Sequence, residues 1–198
     1  TMDPSLQKFV TGWKELLFFA VLGALLTVGL SLLRPLEYSS TARFLVVQKV
    51  QPADAYSAIK AVETITDNLS EVVHTTSFFD RVLATDVRIR KNYFSRTELK
   101  RRKQWNRMVL AHTTRGSGFL TIAVYHTDKR EARSLMSAIS QVLVSNGWEY
   151  VNADIQIKIV DPAIESRFPA RPNLPANALA GLVFGAIVGG AVVLRNSK

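Results

Sequence analysis

The sequence contains no cysteine and only three histidines among its 198 residues. Without cysteine the chain forms no disulfide, and thiolate-bound zinc or iron–sulfur sites are excluded. The local motifs of zinc proteases, serine hydrolases and P-loop enzymes (H-E-x-x-H, G-x-S-x-G and G-x-x-x-x-G-K-[ST]) are missing as well. His74, His112 and His126 are isolated from one another in the sequence. We therefore predict neither an enzyme nor a bound cofactor or metal.

Two long apolar segments bracket the chain. Residues 16–33 and 176–194 carry no charged side chain, and each is about as long as a helix needs to cross ~30 Å of hydrocarbon. A secretory signal is the alternative for the first segment, because Lys8 and Lys14 precede it. The stretch is longer than a typical signal core, however, and the residues up to Arg34 make a poor cleavage site. We predict two transmembrane helices, which places both termini on one side of the membrane.

The remaining residues form one domain between the two spans. Basic residues flank both sides of the predicted membrane in similar numbers, so they do not decide the orientation. The predicted organisation is an N-terminal tail at 1–15, a first span at 16–33, a domain at 34–175 with a proline-rich exit at 162–175, a second span at 176–194 and a C-terminal tail at 195–198.

Hydrophobic periodicity predicts an α+β sandwich for this domain. In chain order we expect a strand at 38–50, helices at 54–74, 77–83 and 95–107, strands at 109–114 and 119–126, a helix at 128–150 and a strand at 155–160. The order is thus β-α-α-α-β-β-α-β. Arg115-Gly-Ser-Gly118 suits a tight hairpin turn, and Asp128 with Glu131 reads as a capping box. Asp161-Pro162 is expected to end the last strand.

Positive charge is concentrated in the third of these helices and the residues before it. Between Arg88 and Arg107 there are nine cations and one acid, Glu98. Arg96, Lys100, Lys103 and Arg107 recur at helical spacing and form a basic stripe. A solvated helix surface is one interpretation, and contact with a neighbouring subunit or an anionic glycan is another. Nucleic acid is not expected as a partner of an extracytoplasmic domain.

The first helix of the domain carries an acidic stripe. The apolar positions Ile59, Val62, Ile65, Leu69 and Val72 define its core face. Glu63, Asp67 and Glu71 recur every four residues, on the face opposite Val62, Ile65 and Leu69. Like charges at this spacing weaken an isolated helix by a few tenths of a kcal/mol per pair, so a cationic partner is physically motivated. Our hypothesis is that neighbouring subunits bring the acidic and basic stripes together.

Small residues line one side of each span. Gly181, Gly185 and Gly189 recur every four residues, and Gly23, Thr27 and Ser31 form a similar face in the first span. Such faces let helix backbones approach closely, so we predict that the spans pack on one another or on neighbouring subunits. The proline triplet Pro169, Pro172 and Pro175 has a three-residue period. We expect polyproline II there, which would stiffen the exit from the domain.

The ordered set of elements resembles the Wzz-type chain-length determinants, the polysaccharide co-polymerases. The resemblance covers nearly the whole chain. It is carried by Pro35-Leu-Glu-Tyr38-Ser-Ser-Thr-Ala42, by Leu120-Thr-Ile-Ala-Val-Tyr125 leading into Thr127-Asp128 and Ala132, and by Asp161-Pro162-Ala163 followed by the proline triplet. The chain lacks room for the long helical hairpin of the large members and is closer in size to the short adaptors.

The resemblance implies a bacterial inner-membrane protein with cytoplasmic termini and a periplasmic or extracellular domain. It further implies a ring-like homo-oligomer that works with a polysaccharide polymerase or export machinery on O-antigen, capsule or exopolysaccharide. Two alternatives remain open: a transmembrane adaptor that activates a separate cytoplasmic tyrosine kinase of polysaccharide export, and a membrane-anchored sensor or binding module.

Overall fold

The computed structural model describes residues 12–49, 54–86 and 89–196. The chain divides into two compact units, one drawn from Thr1–Leu36 with Pro169–Lys198 and the other comprising Glu37–Phe168. Several residues of the sequence analysis, namely most of the 1–15 tail, Lys8, Arg88 and Lys198, lie outside the described residues.

The first unit contains two long helices, α1 (Trp13–Leu32) and α6 (Leu174–Asn196). Each has a mean hydropathy of 2.1 and is long and apolar enough to cross a membrane. Large apolar side chains on both helices, including Leu25 and Phe184, are about two-thirds exposed within the chain. A core helix of a water-soluble protein would bury such residues, so these surfaces suit contact with lipid.

The second unit is an α+β domain. Its elements are β1 (Tyr38–Gln48), α2 (Ala55–Val72), α3 (Thr76–Thr85), a 3₁₀ turn (Lys91–Tyr93), α4 (Glu98–Met108), β2 (Val109–Thr113), β3 (Phe119–His126), α5 (Lys129–Asn146), a second 3₁₀ turn (Gly147–Tyr150) and β4 (Ile155–Glu165). This succession of strands and α-helices matches the predicted order.

The four strands form one antiparallel sheet in the order β2-β3-β1-β4. The first strand of the domain therefore pairs with the last, with Ser40 opposite Glu165, and with β3 on its other side, where Tyr38 faces His126. Because β1 and β4 are antiparallel neighbours, the chain enters and leaves the domain at the same end of the sheet.

The helices cover one face of this sheet. Ala42, Phe44 and Val46 alternate along β1 and are buried, whereas the intervening Arg43 is exposed. The same alternation makes Leu120, Ile122 and Val124 of β3 fully buried. The buried side chains of β1 and β3 join side chains of the helices in one core. Helix α5 contributes Leu135, Met136, Ile139 and Leu143 to this core. The domain is thus a two-layer α/β structure with the second sheet face uncovered by helices.

The prediction that Asp161-Pro162 ends the last strand is wrong, because β4 continues to Glu165. The register to β1 shifts between Thr41 and Phe44, so that Pro162 and Ala163 together lie opposite Ala42. In a β-bulge on an edge strand, not every residue donates a hydrogen bond to the neighbouring strand. Proline, which has no N–H, can therefore occupy this position without the loss of a hydrogen bond.

Two helix predictions need correction. Ile59 was assigned to the core face of α2, but it is 54% exposed, and the buried residues of this helix are Thr66 and Leu69. The basic helix α4 begins at Glu98, not at Ser95. The Ser95 hydroxyl oxygen accepts from the Thr97 N–H, and the Ser95 N–H donates to the side-chain oxygen of Gln104. Ser95 therefore belongs to the turn that precedes the helix.

The basic helix α4 is fixed to the domain by Trp105. This side chain is 1% exposed, and its indole Nε1–H donates a 2.8 Å hydrogen bond to the carbonyl oxygen of Val73. Its ring packs edge-on against Phe79 with the centroids 5.0 Å apart, and Phe94 packs against the same phenylalanine. Trp105, together with the buried Met108, therefore anchors a helix whose other faces are mostly charged.

We predict that Trp105→Phe lowers the free energy of unfolding by about 1–3 kcal/mol, because the carbonyl of Val73 loses its buried partner. The matched control is Trp148→Phe. Trp148 is 55% exposed and its indole donates to Ser145, so water replaces that bond. Thermal unfolding of the full chain in detergent measures both variants, and equal losses would contradict the assignment of Trp105 as the anchor.

Candidate functional site

The glycine faces of α1 and α6 meet inside the helical unit. A methyl group on Gly23 would overlap the carbonyl oxygen of Gly181, and one on Gly185 would overlap the carbonyl oxygen of Phe19. At Gly189 the nearest atom, Leu16 Cα, would lie 3.0 Å away. The two backbones are thus in contact at successive turns. In the structure, the small-residue faces pack on one another within a single chain.

A set of hydrogen bonds joins the same two helices. Thr27 Oγ1 donates to the carbonyl oxygen of Asn177 at 2.9 Å, and Asn177 Nδ2 donates to Ser31 Oγ at 2.7 Å. Ser31 Oγ in turn donates to the carbonyl oxygen of Thr27 at 2.7 Å. Sequence analysis identified Thr27 and Ser31 as small residues but missed Asn177. An amide in an otherwise apolar span was the available signal.

The proline triplet does not form one extended segment. Pro169 and Pro172 lie outside regular secondary structure, whereas Pro175 lies in the first turn of α6. The N–H groups of a first helical turn have no partner within the helix, so proline costs nothing there. Asn173 opens this turn by accepting from the Ala176 N–H at 3.2 Å. The three prolines therefore do not form the polyproline II exit that we expected, since Arg171 lies in a β-bridge, Pro172 in a bend and Pro175 in a helix. Helix α6 begins two residues before the predicted start of the second span.

The basic stripe lies on the surface of the domain. Lys100, Lys103 and Arg107 are exposed on α4, and Arg96, which we expected in the same helix, lies in the bend before it. A terminal guanidinium nitrogen of Arg107 lies 3.3 Å from Oε1 of Glu37. Lys100 and Lys103 form no ion pair or hydrogen bond with any residue that the structure describes, which leaves a cationic surface available for an anion.

The acidic stripe is less accessible than its spacing indicated. Glu63 accepts hydrogen bonds from Lys60 Nζ at 2.9 Å and from the Gly116 N–H at 3.2 Å. The hydrogen bond from Lys60, followed by that from the Gly116 amide, holds the pKa of Glu63 below its usual range. Asp67 accepts from the Thr113 hydroxyl at 2.7 Å.

We expected the acidic stripe to point away from the core, and the structure adds that Glu63 and Asp67 are engaged by another part of the same domain. The β2–β3 hairpin runs along this side of α2 and uses both carboxylates. Glu71 remains exposed, and its carboxylate has no partner among the described residues. Of the three carboxylates in the stripe, Glu71 is therefore the one that another subunit could contact without breaking a described hydrogen bond.

Sequence analysis missed an open cleft at one end of the sheet. It has a volume of about 730 Å³ and is lined by Ile89, Arg90, Lys91, Asn92, Tyr93, His126 and Thr127. The Tyr93 ring is 45% exposed and lies against the His126 ring, with centroids 4.5 Å apart. The cleft joins residues separated by more than 30 positions in sequence, so no local motif predicts it.

Ion pairs fix the wall of this cleft. Arg90 Nε donates to Glu131 at 2.6 Å, and a terminal nitrogen of the same guanidinium donates to Asp128 at 2.7 Å. Glu131 also accepts from the backbone N–H of Arg90 at 3.3 Å. These bonds correct the predicted capping box, since Glu131 is directed at Arg90. The N–H of Asp128 donates instead to His126 Nδ1 at 2.9 Å.

His126 is buried and neutral. It is 3% exposed, and burial lowers the pKa of its imidazole against the opposing effect of Glu131. Because Nδ1 accepts the Asp128 N–H, the ring proton resides on Nε2. Among the described residues, no group of three histidine or acidic side chains has the arrangement needed to hold a metal ion.

No model of a protein family matches the chain, and no curated protein sequence matches it at a significant level.

We predict that Gly185→Val disrupts the packing of α1 on α6, because its side chain meets the backbone of Phe19, which cannot rotate away. The expected loss is about 1–3 kcal/mol. Gly29→Val is the control, since a Cβ at Gly29 has no atom within 4 Å. Thermal denaturation of the full chain in detergent should show a lower midpoint for the first variant only. Identical midpoints for the two variants would rule out the close contact.

A second prediction concerns pH. The folded chain binds a proton at His126 only below its usual pKa of 6.5, while the unfolded chain binds it near that value. The stabilisation is therefore complete above about pH 6.5 and decreases as the pH falls toward the folded pKa.

His126→Gln should flatten this decrease between pH 7.5 and 5.5, and His112→Gln, at an exposed position, should leave it unchanged. Melting temperatures of the three proteins across this range provide the measurement. If the melting temperature of the His126 variant decreases with pH as steeply as that of the wild type, a group other than His126 causes the pH dependence.

Proposed function

We propose that this protein is a membrane-anchored, non-enzymatic co-polymerase that assembles as a ring-like homo-oligomer. In this role it modulates the chain length or export of a bacterial surface polysaccharide. Its two helices span the inner membrane, both termini are cytoplasmic, and the α+β domain lies outside the cytoplasm. The proposal rests on the sequence resemblance to the Wzz-type chain-length determinants and on the fold that accompanies it.

One structural observation supports the proposal most directly. The first and last strands of the domain are antiparallel neighbours, with Ser40 opposite Glu165. The chain therefore enters and leaves the domain at one end of the sheet, as a domain tethered by two membrane spans requires. The close helix pair in the other unit fits the same two-pass arrangement.

The proposed mechanism is organisational. Oligomers hold several domains side by side next to a polymerase or exporter, and exposed cations on each domain contact a neighbour or the growing chain. Lys100 and Lys103 are the best candidates, because they are exposed on a helix that Trp105 fixes to the core. The acidic stripe is the weaker half of the original pairing hypothesis, since Glu63 and Asp67 are bound to their own hairpin. An anionic glycan is therefore the preferred counterpart of the basic stripe.

A membrane-anchored binding module is the second candidate. The observation that favours it is the 730 Å³ cleft, where Tyr93 presents an aromatic surface beside Arg90 and Lys91. A monomeric protein that binds a small ligand there would replace the scaffold proposal. The kinase-adaptor alternative is supported by the family resemblance alone.

The test of function is deletion of the gene, followed by electrophoretic sizing and quantification of the surface polysaccharide. We expect an altered length distribution or amount that wild-type protein restores. Complementation with Lys100→Glu/Lys103→Glu should restore it poorly, whereas the similarly exposed pair Arg130→Glu/Lys158→Glu should restore it fully.

Normal polysaccharide in the deletion strain would refute the proposed function. The mass of the protein in detergent tests assembly separately, and a strict monomer would exclude the ring.

A further inference from the structure

A polar notch lies on the surface of the helical unit. It has a volume of about 320 Å³ and is lined by Thr27, Leu30, Ser31, Arg34, Pro172, Asn177 and Ala180. Its lining therefore combines apolar side chains with hydroxyl groups, an amide and a guanidinium. A recess with both characters suits an amphipathic ligand.

The polar groups of the notch differ in whether they form hydrogen bonds within the chain. Thr27, Ser31 and Asn177 hydrogen-bond to each other, so they hold the notch in shape. Arg34 is exposed, and its guanidinium has no ion pair or hydrogen bond with any residue in the described part of the chain. Among the described residues that line the notch there is no Asp or Glu. The notch thus presents one unpaired positive charge.

The position of Arg34 along the helix narrows the class of ligand. Helix α1 has 20 residues, about 30 Å, and Arg34 follows its last residue, Leu32, by two positions. In a membrane-spanning helix of this length, a cation at this position lies at the level of lipid headgroups. Leu30 lies one turn deeper, at the level of the glycerol and the first acyl carbons.

We propose that this notch binds one anionic phospholipid, with the headgroup phosphate against Arg34 and the upper acyl carbons against Leu30 and Ala180. The inference rests on the membrane-spanning part of the proposed function and is independent of any role in polysaccharide synthesis. Free inorganic phosphate shares the phosphate chemistry, but it would leave the apolar wall of the notch without a partner. The lipid is therefore the favoured source.

The test is native mass spectrometry of the full chain in detergent, titrated with phosphatidylglycerol or with phosphatidylcholine of the same acyl chains. We expect the wild-type chain to retain phosphatidylglycerol about fivefold better, the factor that corresponds to one cation near a headgroup. Arg34→Gln should reduce this preference to about one, and Arg34→Lys should keep most of it. Lys14→Gln removes one charge from the first turn of α1, at the opposite end of the helix, and should keep the wild-type preference.

Three results would overturn the inference: no preference in the wild-type chain, an unchanged preference in Arg34→Gln, or an equal loss in Lys14→Gln. Displacement of phosphatidylglycerol by millimolar inorganic phosphate would identify a site for a free anion instead of a lipid. If Arg34→Gln does not fold, the preference of the wild-type chain for phosphatidylglycerol is measured at several salt concentrations. It must decrease with ionic strength, and a salt-independent preference excludes Arg34 as its cause. Polysaccharide sizing is a separate readout, so this inference and the proposed function fail independently.

Discussion

The antiparallel pairing of β1 with β4 is the constraint on which the domain depends. It joins residues near the two ends of the domain sequence, with Tyr38–Gln48 beside Ile155–Glu165. Strand β1 is also paired with β3, so it lies inside the sheet and contributes Phe44 and Val46 to the core. Loss of this pairing would separate the two chain ends and expose the centre of the core at once. A long-range contact of this kind is also costly in loop-closure entropy, which the buried strand residues must offset.

A different physical principle holds the helical unit together. Two apolar helices in lipid gain little from burying more apolar surface, so close packing and hydrogen bonding must provide the attraction. The structure has both. Glycines at successive turns bring the backbones into contact, and Thr27 and Asn177 form a hydrogen bond between the helices. The polar side chains that strengthen the pair also line the notch beside Arg34, so the packing of the helices and the proposed lipid site involve the same residues.

Periodicity in the sequence was sufficient to predict most of the architecture. Alternation along β1 and β3, the glycine turn at 115–118 and the apolar stripe of α5 are local signals, and each produced the expected element. The errors occurred where a distant residue supplied the decisive partner. Glu131 is directed at Arg90, about 40 residues away, and Asp67 at Thr113, about 45 residues away. For the same reason the cleft at Tyr93 and His126 could not be found from the sequence.

The bulge opposite Ala42 has a consequence for how copies of this protein can associate. Strand β4 is an outer strand whose second edge is unpaired in the chain, which normally invites another strand to extend the sheet. Here the register shift near Pro162 bends this edge, the proline ring removes a donor, and the exposed Lys158 adds charge. These features protect against sheet extension. Any association of copies of this domain would therefore use side-chain surfaces and not a continuous backbone ladder along β4.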